Sequence, residues 1–211
     1  MIIKVCGMRE PDNIRAVEAL GVDWMGFVFY HKSARYAGPR PEYLPRQAKR
    51  IGVFVNENRE TIIQRLQLYR LDGVQLHGSE SPRIVENLKL KLPDTIVIKA
   101  FPVSDAFDIA ATEAYDGLCD YFLFDAKCEG HGGSGTRFDW ELLTHYKGST
   151  PFLLSGGIGP DALPALQGLG LPQWAGVDLN SRFESAPGLK DPALLEPFIQ
   201  SVRQMRNDSH E

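Results

Sequence analysis

Eight short apolar runs, rich in β-branched and aromatic residues, recur along the chain: IIKVC (2–6), GFVF (26–29), IGVFV (51–55), GVQL (73–76), TIVIKA (95–100), DYFLF (120–124), PFLLS (151–155) and AGVDL (175–179). Most are apolar almost throughout rather than alternating, the pattern of strands buried on both faces in a parallel sheet. Successive runs start roughly 20 to 30 residues apart, room for one strand, one helix and two loops.

The intervening stretches read as helices. Pro11-Asp12-Asn13 opens IRAVEAL, whose apolar residues fall at helical spacing before Gly21 stops it. TIIQRLQLYR (61–70) and RIVENLKL (83–90) share that period, the latter opened by Ser81 as N-cap with Pro82 behind it. AFDIAATEAY (106–115), FDWELLTHY (138–146), PDALPALQGL (160–169) and PALLEPFIQSVRQM (192–205) follow suit. In PEYLPRQAKR (41–50), Pro45 allows only a short or broken helix. Eight strand–helix units in 211 residues predict an α/β fold, a closed eight-stranded parallel (β/α)8 TIM barrel. An open doubly wound sheet is the structural alternative. No linker divides the chain, so residues 1–211 are expected to form one domain, with RNDSHE (206–211) a frayed polar tail.

Composition narrows the function. Apolar residues make up 43%, and a net charge of −4 with interspersed signs gives no basic face for nucleic acid. Cys6, Cys119 and Cys128 show no CxxC pair and no Cys/His ligand spacing, which predicts neither disulfide framework nor metal site. Met1 runs straight into a strand-like segment and no apolar run nears the ~20 residues of a membrane span, so a cytoplasmic protein without secretory leader is expected.

A barrel of this kind carries its chemistry at the C-terminal ends of its strands. The first run ends in Cys6, the third in Asn56, the fourth in His77, the sixth in Asp125, the seventh in Ser155-Gly156-Gly157, and the eighth in Asp178 with Asn180-Ser181. Each alone reads equally as a turn, cap or buried structural residue. Barrel closure would bring them onto one rim. HGGSG (131–135) and SGGIG (155–159) add glycines whose backbone an anion can approach closely, and loops after the seventh and eighth strands are the usual phosphate site. Neither GxxxxGK[ST] nor GxGxxG occurs, so no nucleotide cofactor is indicated.

KVCG at the start, GFVFYHKSARY (26–36), GVFVN (52–56), VQLHG (74–78), LFDAK (123–127), GGSGTRFDW (132–140), LSGGI (154–158) and VDLNS…E…PGLKD (177–191) run in order over nearly the whole chain. Together they resemble the phosphoribosylanthranilate isomerase family of tryptophan biosynthesis. The resemblance implies a TIM barrel with no cofactor and no metal, acting on a small phosphosugar–anthranilate substrate. The implied reaction is an Amadori rearrangement of N-(5-phosphoribosyl)anthranilate to 1-(2-carboxyphenylamino)-1-deoxyribulose 5-phosphate. Carried over by motif, Asp125 is the general acid that opens the furanose ring and Cys6 the general base that removes the ribose C2 proton. Arg35 would hold the anthranilate carboxylate. His77, Gly133, Ser134, Gly156, Gly157, Asp178, Asn180 and Ser181 would complete the substrate site, and 129–137 looks like a lid.

The roles demand a protonated Asp125 and a Cys6 thiol lowered by nearby positive charge. Lys4 shares the inward face with Cys6 and either tunes the thiol or pairs with a carboxylate such as Asp178 or Glu184. Arg182 and Phe183 stand where many family members have a small residue and an aliphatic. Whether Arg182 contacts phosphate therefore stays open. Alternatives are another phosphosugar barrel enzyme or a non-catalytic phosphate-ligand barrel. Cys6 at the first strand end disfavours the paired aspartates of a histidine-pathway isomerase, and retention of both Cys6 and Asp125 disfavours a decayed site. Homodimer and monomer are both compatible with the sequence.

Overall fold

A computed structural model describes residues 1–104, 106–126 and 138–208. Among them, strands β1 (Ile2–Val5), β2 (Trp24–Val28), β3 (Lys49–Phe54), β4 (Gly73–Leu76), β5 (Ile96–Val103), β6 (Tyr121–Ala126), β7 (Phe152–Leu154) and β8 (Trp174–Leu179) close into one barrel. Every neighbouring pair is parallel, and β8 returns to β1 with Lys4 directly opposite Asp178. The apolar runs correspond to these strands to within a few residues at either end. A two-stranded hairpin, β9 (Glu184–Ala186) with β10 (Leu189–Lys190), follows the barrel.

Strand residues alternate between two environments. Trp24, Ile51, Ile98, Ala100, Leu123 and Leu153 pack inside the barrel, and their outward neighbours join a larger core beneath the helices. Helix α1 (Pro11–Glu18) buries Ile14 and Val17, and α2 (Arg59–Tyr69) buries Ile62 and Tyr69. Helix α3 (Pro82–Lys91) buries Val85 and Leu88, with Pro82 in its first turn; Ser81 holds the N-cap position but makes no side-chain capping bond. The short α4 (Leu163–Gln167) and the long α5 (Pro192–Asp208) complete the α-helical layer.

The outer layer departs from eight equal helices. Residues 41–50 form no helix: Pro45 breaks the segment, and Glu18 accepts the backbone N–H groups of Arg46 and Gln47 that a helix would have used. The stretches after β5 and β6 wind as 3-10 turns, Ile109–Tyr115 and Trp140–His145. Thr112 and Thr144 bond back to carbonyls three residues earlier, consistent with that tighter winding.

Candidate active site

The C-terminal strand ends surround a cavity of about 630 Å³. Cys6, Arg35, His77, Asp125, Gly156, Gly157, Asp178, Asn180 and Ser181 all line it. Gly133 and Ser134, with the rest of the expected lid at 129–137, lie outside the described residues.

Cys6 follows β1, its N–H donating to Leu179 O at 2.9 Å. It is 5% exposed, and Gly26 on β2 makes room for it: a Cβ there would stand 2.5 Å from Sγ. Burial pushes the thiol up, and the nearby Lys4 and Lys190 ammonium groups only partly offset this. The expectation of a lowered thiol thus meets a larger desolvation effect. Lys4 is wholly buried and pairs with Asp178 at 2.9 Å, not with Glu184. Burial alone would lower the ammonium, but Asp178 and Cys6 outweigh it and raise it, so Lys4 stays charged.

Across the barrel, His77 Nε2 lies 3.2 Å from Asp125 Oδ2, both side chains 28% exposed. His77 Nδ1 meets Gln75 Nε2 at 2.8 Å. With that amide N–H donating, the neutral imidazole carries its proton on Nε2, facing Asp125. Gln75 is 1% exposed.

A second charged cluster backs Arg35 at the cavity wall. Arg35 donates from Nε and Nη2 to Glu184, which also accepts from Lys190 Nζ and Gly188 N. Lys190 Nζ donates onward to Asn180 Oδ1 at 2.7 Å. Burial lifts the Glu184 carboxyl, but Arg35 and Lys190 outweigh it and hold it below its usual range. Burial also lowers Lys190.

In the loop after β7, Gly156 and Gly157 adopt φ of 81° and 65°. A Cβ on Gly156 would overlap the Ala126 backbone nitrogen, so this turn admits only glycine. Ser181–Phe183 forms a 3-10 turn facing it. Arg182 points away, its Nη2 3.2 Å from Asp161, and Phe183 is core, packed edge-to-face on Phe198 at 5.0 Å. Asn180 and Ser181 line the cavity, and Arg182 does not.

Gln75, Glu184 and Lys190 are site residues that the strand-end reading did not assign. Gln75 was accessible through period-two alternation with His77. No local signal marks Lys190, which reaches the barrel only through the hairpin. Among the described residues no group of three or more His, Cys, Asp or Glu side chains is placed to hold a metal ion, and no helix is long and apolar enough to cross a membrane.

Residues 3–201 match the family model for N-(5'-phosphoribosyl)anthranilate isomerase. A relative of that name from Phocaeicola vulgatus is 54% identical, the alignment covering 97% of this chain and 98% of that one. The crystal structure of phosphoribosyl anthranilate isomerase from Thermotoga maritima superposes with a TM-score of 0.83 at 33% identity, covering 97% of this chain and 100% of that one. A further one, solved in complex with reduced 1-(o-carboxyphenylamino)-1-deoxyribulose 5-phosphate, gives 0.81 at 30% identity with the same coverage.

Proposed function

The chain belongs to the N-(5'-phosphoribosyl)anthranilate isomerase family, and from that premise we propose how its cavity divides the labour of the isomerisation. The enzyme converts N-(5-phosphoribosyl)anthranilate to 1-(2-carboxyphenylamino)-1-deoxyribulose 5-phosphate in tryptophan biosynthesis.

Asp125 is the general acid. It gives its proton to the ring oxygen as the C1–O bond breaks and the anthranilate nitrogen lone pair forms the C1=N bond. The resulting protonated Schiff base acidifies C2–H. Cys6 takes that proton, the C–H electrons form C1=C2, and the iminium becomes an amine. Ketonisation of the enolamine, with loss of the hydroxyl proton and protonation at C1, completes the change. His77 donates to the Asp125 carboxylate left after ring opening.

The buried thiol suits this order. Burial keeps it protonated at rest, and the cationic Schiff base forming beside it favours the thiolate when a base is needed. Arg35 takes the anthranilate carboxylate, and the Gly156-Gly157 and Asn180-Ser181 backbones take the phosphate. A volume of about 630 Å³ suits a ligand of this size.

The observation that carries the assignment is that Cys6, just after β1, and Asp125, on β6, line one cavity together with Arg35 and the Gly156-Gly157 turn. The test is fluorescence decay of freshly made phosphoribosylanthranilate with the purified chain. First-order decay proportional to protein concentration is expected, with Cys6→Ser and Asp125→Asn inactive; decay retained in either variant overturns that residue's role.

A further inference from the structure

We propose that Glu184 is a positioning residue: from the β9–β10 hairpin it fixes the Arg35 guanidinium for a ligand carboxylate, and so sets the preference of the cavity for an ortho-carboxylated N-aryl group. This rests on the reading of Arg35 given above.

One edge of the guanidinium is fully used. Nε donates to both Glu184 oxygens at 3.0 Å and Nη2 to Oε2 at 2.7 Å. Among the described residues Nη1 has no hydrogen-bond partner, and Arg35 lines the cavity. The arginine stem is held too. It crosses Gly7, where a Cβ would stand 2.8 Å from Cδ and where φ is +80°.

Glu184 is itself immobilised by Gly188 N at 3.1 Å and by Lys190 Nζ. Lys190 is anchored from both sides of its backbone by the Asn13 amide, at 2.8 and 2.7 Å. The chain of restraints therefore runs from α1 through the hairpin to the β2–β3 loop. Two cations and one carboxylate leave the cluster net positive, so the buried pair orients Arg35 without cancelling its attraction for an anion. An arginine held this way loses little side-chain freedom on binding.

The test compares two ligands by calorimetry: the reduced product analogue 1-(2-carboxyphenylamino)-1-deoxyribitol 5-phosphate, and its phenylamino counterpart lacking the carboxylate. The quantity read is the ratio of their dissociation constants, which partial misfolding leaves unchanged. Glu184→Gln should lower the preference for the carboxylated ligand by about tenfold and leave the other ligand within about threefold. A merely structural role would weaken both ligands equally and would overturn the proposal. The double variant Glu184→Gln/Lys190→Met, which strands no buried cation, should show the same loss of preference. Arg35→Met should erase the preference. If it does not, the Arg35 reading fails and this inference with it. If Arg35→Met erases it while both Glu184 variants keep it, the positioning role alone is wrong.

Discussion

His77 Nε2 stands 3.2 Å from Asp125 Oδ2 while Nδ1 is engaged by the Gln75 amide at 2.8 Å. The Gln75 N–H thus selects the tautomer that presents N–H to Asp125, the proposed general acid. His77→Asn should therefore lower kcat by roughly 10- to 100-fold, less than the full ~10²–10⁴ of acid–base catalysis because Asp125 remains. KM should stay within about threefold. A rise in KM at unchanged kcat would instead make His77 a binding residue.

The Lys4–Asp178 pair joins the first and last strands inside the barrel. Asp178 and Cys6 hold the Lys4 ammonium above its ordinary value despite its burial. The contribution of the Lys4 ammonium is thus present below the ordinary lysine value and is lost as pH rises through the raised folded one, while burial lifts the Asp178 carboxyl, so the ion pair also weakens as pH falls through that raised value. Lys4→Met strands a buried carboxylate and should destabilise by about 3–5 kcal/mol in urea melts, a loss that adding Asp178→Leu should largely reverse. The same variant should move Cys6 alkylation to higher pH. An unchanged alkylation profile would remove Lys4 from the tuning of the thiol.

Gly156→Ala meets both a positive φ and the Ala126 backbone. A drop in Tm of about 5–10 °C is expected, with a KM increase of more than tenfold, roughly the scale of a strained backbone in a domain this size. Gly38→Ala is the control, since φ there is +64° but nothing lies within 4 Å of an added Cβ. It should lower Tm less and leave KM alone. Equal effects would mean that strain, not the close approach, decides.

Far from the cavity, Asp116 accepts from the backbone N–H and hydroxyl groups of both Ser149 and Thr150. Partial burial pushes its carboxyl up, but these bonds outweigh it and bring it to about 2 from 3.8. A depressed carboxyl contributes stability above its unfolded value, and that contribution fades as pH falls from about 4 towards 2. Asp116 is only half-buried, so solvent screening keeps the effect modest. Asp116→Asn should flatten this part of the stability–pH curve, read from melts at pH 2 to 5; an unchanged slope would exclude Asp116 as its source.

The strand pattern was legible because the barrel strands are buried on both faces, which leaves short apolar runs without strict alternation. Strand ends pointed to Cys6, His77, Asp125 and Asp178 because a barrel brings such ends together. The helical layer was less legible. Segments 106–115 and 138–146 have a helical period yet wind as 3-10 turns, since apolar spacing barely distinguishes the two. The Arg35–Glu184–Lys190 cluster was hidden for another reason: its members lie 149 and 6 residues apart and meet only through the hairpin. The raised Cys6 thiol was hidden too, because charge is visible in a sequence and depth of burial is not.

The central claim is that Cys6 and Asp125 carry the two proton transfers without carrying substrate affinity. It is tested most directly by titrating Cys6→Ser and Asp125→Asn with the reduced carboxyphenylamino product analogue alongside single-turnover fluorescence decay. The account predicts analogue affinity within about threefold of the parent enzyme and a decay no faster than the protein-free reaction. Measurable enzyme-dependent decay in either variant would contradict it.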